Sequence, residues 1–110
     1  MSKNTLFGDL LRGHTDTILL SILLRGDSYG YRINKTLEDE SDHRFNLNEA
    51  TLYTTFKRME KERYITSYWK GEQSTPPRKY YAITKAGKEY LKKNKDEWLE
   101  ASRIIKHFIG

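Results

Sequence analysis

Thr51, Thr54, Lys57, Arg58 and Lys61 are spaced so that a helix turning about 100° per residue gathers them on one side, with Ala50 among them. That side holds three cations, two hydroxyls and no carboxylate, because Glu49, Glu60 and Glu62 fall outside its centre. A merely solvated face usually mixes signs, since opposite charges one turn apart support a helix and like charges repel. Separation of this kind suits phosphate. Cations neutralise the backbone, threonine reaches a base edge or a phosphate, and a small residue lets the helix approach the groove floor. Leu52, Phe56, Met59 and Arg63 cluster on the other side, with Tyr53 at their margin, as the face that anchors the helix. A second basic group follows in Lys70, Arg78 and Lys79, beside Pro76 and Pro77, where a hairpin tip can lie along a DNA backbone or enter a minor groove. For Lys70 an ordinary polar hairpin end is the simpler expectation.

Other chemistries find little support. His14, His43 and His107 are dispersed, cysteine is absent, and no phosphate loop, metal-ligand spacing or nucleophile elbow is visible. No enzyme, cofactor or metal is implied. A winged-helix protein–protein adaptor is the alternative, because an acidic protein would also fit a basic helix face.

These residues need elements to hold them. Leu6 to Leu24 reads as one helix, "RGDS" breaks it, and Asp27 or Ser28 can cap a second helix over about Tyr29 to Glu40. "RFNLN" suits an extended connector leading to Asn48, the expected cap of a third helix over about Glu49 to Arg63. "YITSYW" and "RKYYAI", separated by "KGEQSTPP", predict a β-hairpin in which Tyr68, Trp69, Tyr80 and Tyr81 pack across strands. Thr84 then caps a long helix through Ile109. Along it Leu91, Asn94, Trp98, Ala101, Ile105 and Phe108 recur at alternating intervals of three and four, a coiled-coil-like seam. The expected fold is α+β, mostly α: a winged helix-turn-helix over residues 1–83 and one long C-terminal dimerisation helix over 84–110, in one compact unit.

Whole-chain properties agree. The 110 residues are enough for one domain, with 36% hydrophobic, 13% aromatic and 32% charged residues. The net charge of +5 is uneven: residues 1–47 carry 6 basic and 7 acidic side chains, whereas 48–83 and 84–110 each carry 7 and 4. The excess therefore begins with the basic helix and points to an anionic partner. "TILLSILL" is too short to span a membrane, and the N-terminus is too charged for a signal peptide, so a cytoplasmic protein is expected.

The segments "YGYRI", "LNEATLYTTFKRMEKERYITSYW" and "RKYYAITKAG" resemble the PadR family of bacterial transcriptional regulators. With "WLEASRIIKHF" near the end, the chain is similar to the small PadR subclass and its LmrR-like, multidrug-sensing branch. The resemblance implies a homodimeric repressor that binds a palindromic operator in double-stranded DNA. Its DNA-contacting positions fall on Thr51, Tyr53, Thr54, Lys57 and Arg58, with Ser28, Tyr29, Arg78 and Lys79 holding the backbone; Tyr53 enters through the resemblance alone, and Lys61 from the helix face.

The branch further implies a pore at the dimer centre that takes planar aromatic small molecules against Trp98. Leu10, Thr17, Ser21, Leu91, Asn94, Lys95 and Ser102 would line it, and Leu6, Leu91, Trp98, Ala101, Ile105 and Phe108 would form the dimer interface. Lys95 and Tyr90 make this lining bulkier and more basic than the branch's apolar pore, which favours an anionic or uncharged aromatic as much as a cation. On the residues alone, Trp98 suits dimer-core packing equally well.

Overall fold

The computed structural model describes residues 6–71, 73 and 75–110, with Leu6 described by its backbone alone. The first helical stretch is two helices, α1 (Leu6–Arg12) and α2 (Thr15–Arg25), where the periodicity predicts one. Gly13 weakens the helix at the join. The Thr15 hydroxyl donates to the Arg12 carbonyl at 3.0 Å, and His14, at φ −120° and ψ 19°, leaves helical geometry. α2 then buries Leu19, Leu20, Ile22 and Leu23.

A two-residue strand, β1 (Ser28–Tyr29), precedes α3 (Gly30–Glu40). It is too short to show an alternating pattern in sequence. Neither Asp27 nor Ser28 caps α3: Asp27 accepts from the Tyr68 hydroxyl at 2.6 Å, and the Ser28 hydroxyl accepts from Arg32 Nε at 3.0 Å. α3 buries Ile33 and Leu37, while Asn34 pairs with both backbone groups of Leu47, at 2.6 and 3.0 Å. That pairing fixes the extended connector, whose Phe45 and Leu47 turn into the core.

α4 (Glu49–Lys61) starts as expected, with the Asn48 side chain accepting from the Thr51 amide at 2.8 Å. Leu52, Phe56 and Met59 anchor it. It stops short of Arg63, which takes a left-handed φ of 68°, and the Tyr64 amide reaches back to the Met59 carbonyl at 2.9 Å. The hairpin is β2 (Ile65–Lys70) and β3 (Arg78–Ile83), antiparallel from Ile65 opposite Ile83 to Lys70 opposite Arg78. β3 is central, because β1 pairs with its Tyr80 and Tyr81. Tyr68 stacks on Tyr80 across the strands, whereas Tyr81 turns inward to stack on Phe56 at 4.1 Å and Trp69 stays 67% exposed.

α5 (Lys85–Ile109) opens with the Thr84 hydroxyl accepting from the Gly87 amide at 3.0 Å. It packs against α2 and buries Gly87 and Leu91, and no residue beyond Leu91 is buried in this helix. The chain is thus a mostly helical winged helix with a small three-stranded antiparallel sheet and a long C-terminal helix.

Candidate nucleic-acid interface

The outward side of α4 presents Thr51, Tyr53, Thr54, Lys57, Arg58 and Lys61, all exposed. Its geometry comes from the opposite side. Burial of Leu52, Phe56 and Met59 at intervals of four and three leaves the polar residues no other direction. A groove of about 760 Å³ runs between α4, the start of α3 and the hairpin, and Tyr53, Lys57, Trp69, Arg78 and Lys79 line it. Tyr53 is 43% exposed and lies over Gly30, where an added Cβ would stand 2.8 Å from the tyrosine hydroxyl. The glycine therefore gives Tyr53 its place beside the basic residues.

Aromatic rings organise the wing's cations. The Arg78 and Arg32 guanidinium carbons sit 4.5 and 4.7 Å from the centre of the Tyr29 ring, and Lys70 Nζ lies 5.3 Å from that of Tyr80. Arg32 is a cation of this surface absent from the sequence expectations. Its signal is the one-turn spacing from Tyr29, which acquires meaning only once β1 has placed Tyr29 in the sheet. Ser28, expected on the DNA backbone, is 6% exposed with its hydroxyl taken by Arg32, so it orients that arginine.

Arg58 differs from its neighbours. Its Nη2 donates to Asp16 Oδ1 of α2 at 2.5 Å and its Nη1 to Glu62 Oε1 at 2.7 Å. The hydrogen bond to Asp16 is the largest influence raising the guanidinium's pKa above its ordinary value. The side that carries no acid on a helical wheel thus acquires a carboxylate from another helix. Glu60 also borders the groove, but it accepts from the Ser67 hydroxyl at 2.6 Å and is tied to the sheet.

A second groove, about 820 Å³, lies between α1, the start of α2 and α5. Of the residues expected to bind an aromatic ligand, Leu10, Thr17, Asn94, Trp98 and Ser102 line it. Trp98 is 48% exposed and meets the His14 ring edge-on at 6.4 Å. Three expected residues stand elsewhere. Leu91 packs in the chain's own core, the Ser21 hydroxyl turns back to the Ile18 carbonyl at 2.6 Å, and Lys95 points to solvent. Ala101 and Ile105 of the seam also border this groove, while Phe108 stands 81% exposed beyond it. The Leu6 side chain lies outside the described residues.

The sequence profile of the transcriptional regulator PadR-like family matches residues 19–93, from α2 through the hairpin into α5. This chain belongs to the PadR-like family. A transcriptional regulator from Clostridium thermocellum is 43% identical and superposes with a TM-score of 0.83 over 93% of this chain and 99% of its own. A PadR family transcription regulator from Clostridium difficile is 39% identical, with a TM-score of 0.79 over 88% and 99%. An uncharacterised protein from Lysinibacillus sphaericus is 41% identical over 92% of this chain and 93% of its own. PadR-family proteins are DNA-binding transcription regulators. Among the described residues, no helix is long and apolar enough to cross a membrane.

Proposed function

We propose that this PadR-family regulator is a homodimeric cytoplasmic repressor that reads a palindromic operator in double-stranded DNA. One α4 enters each half-site, where Thr51, Tyr53, Thr54, Lys57 and Lys61 meet bases and phosphates. Tyr29, Arg78 and Lys79 hold the flanking backbone, with Ser28 acting through Arg32, and Arg58 joins them when free. The observation that carries this is the continuous solvent-facing surface of α4 cations and hydroxyls beside a basic, aromatic wing. Residues 1–83 serve as the DNA-binding unit and 84–110 as the dimerisation helix.

A second copy of the chain is the occupant that suits the end of α5. Trp98 is 48% exposed, Ile105 56% and Phe108 81%, an apolar run that water alone would not favour. Two such helices side by side would close the Trp98 groove into a central pore able to take a planar aromatic molecule. Such a ligand changes operator affinity only through unequal binding to the operator-competent and relaxed spacings of the two α4 helices. Half-sites lie about 34–36 Å apart, so a small hinge at the dimer centre suffices to spoil the match.

Electrophoretic retardation of the DNA upstream of the protein's own gene tests the proposal. The expected retarded species at moderate salt carries two chains per duplex and protects two symmetric half-sites. Absence of any retarded species, or a single-chain complex without symmetry, would overturn it.

A further inference from the structure

Asp16 stands where the two surfaces meet. It lies in the first turn of α2, where the helix dipole favours an anion, and its side chain is only 19% exposed. Oδ1 accepts from Arg58 Nη2 at 2.5 Å, and Oδ2 lies 3.5 Å from the Tyr90 hydroxyl of α5. The Tyr90 ring in turn stacks parallel on Tyr64, in the turn between α4 and β2, with centroids 4.1 Å apart. Asp16 and Tyr90 both border the groove beside Trp98. One carboxylate therefore touches the DNA-reading helix with one oxygen and the wall of the α1–α2–α5 groove with the other.

A guanidinium held between Asp16 and Glu62 already has its charge compensated, and Asp16, 19% exposed against 42% for Glu62, is the partner that draws it toward α2 and away from phosphate. We infer that Asp16 is a positioning residue for DNA binding: it holds Arg58 against α2, and what happens at its groove-side oxygen sets whether Arg58 is available to DNA. This rests on the DNA-binding role assigned to α4. A groove occupant that donates a hydrogen bond to Asp16 draws on the same carboxylate as Arg58. By linkage, such an occupant and a phosphate at Arg58 favour one another, a local effect that opposes the loss of half-site fit a hinge at the dimer centre would cause.

The test measures the slope of log affinity against log salt, by fluorescence anisotropy, on a duplex taken from upstream of the gene. Each phosphate neutralised by the protein contributes about 0.9 to that slope. Asp16→Asn, which keeps the side-chain shape and removes the charge, is expected to steepen the slope by about 0.9 per chain and to tighten binding at low salt. Asp16→Asn combined with Arg58→Gln returns the slope to that of the wild type, and Asp16→Glu keeps it there. Asp16→Ser, which also removes the charge, is expected to steepen the slope by the same amount, which decides the matter even if Asp16→Asn folds poorly. An unchanged slope in folded Asp16→Asn and Asp16→Ser, or a gain that survives in the double variant, would overturn the inference while leaving DNA binding by α4 intact. A wild-type protein that binds no duplex even at low salt would overturn both.

Discussion

Tyr81 lies 4.1 Å from Phe56, ring on ring, and is 3% exposed, so the central strand holds α4 by aromatic stacking as well as by the aliphatic core. Burial, ahead of the neighbouring Tyr53 and Glu60, pushes its phenol from 10.0 up to about 12. The folded chain therefore keeps this proton where the unfolded chain has lost it. Its contribution to stability is fully present below about pH 10 and is lost as the pH rises to about 12. Thermal midpoints are expected to fall across that interval, and Tyr81→Phe is expected to remove this share of the fall. An equally steep fall in the variant would contradict the assignment. At this scale the side of α4 that faces out is legible in sequence, because burial of Leu52, Phe56 and Met59 follows helical period. The engagement of Arg58 with Asp16 is not, since the two lie 42 residues apart and meet only through the packing of α2 beside α4.

Among the elements, the start of α5 is seated closely against the turn before β2. An added Cβ on Gly87 would come 2.1 Å from the Tyr64 carbonyl oxygen and 2.8 Å from the Ile83 side chain. In an exposed helix, replacing glycine by alanine gains about 1 kcal/mol. Here the obstacle is backbone, so Gly87→Ala is expected to destabilise the chain by about 1–3 kcal/mol, read as a lower urea midpoint. A raised midpoint would show that α5 does not seat against Tyr64. α4, the hairpin and α5 are legible from period and caps, with Asn48 and Thr84 accepting the helix amides as their types suggest. The break between α1 and α2 is hidden by an apolar stripe that runs on past Gly13. β1 is hidden because two residues carry no period, and its partner Tyr80 lies beyond α4 and β2. The left-handed Arg63 has no glycine to announce it.

In the whole molecule, the DNA-facing side of α4 and the longest run of exposed apolar side chains lie on different elements. Cations and hydroxyls line α4 and the wing, whereas exposed aliphatic and aromatic side chains collect along the last half of α5. The α5 seam is legible as a stripe, but its division is not: Leu91 is spent on the chain's own core, and the stripe opens to solvent only from Asn94 onward. The proposed role of the α4 face is to carry the DNA. The salt slope of wild-type binding compared with that of Lys57→Ala, on the same upstream duplex, tests it most directly. Lys57 borders the groove between α4 and the wing, is exposed, and lies outside the buried face of α4. Its removal is therefore expected to lower the slope by about 0.9 per chain while leaving the thermal midpoint unchanged. A folded Lys57→Ala protein that binds with wild-type affinity and an unaltered slope would contradict that role.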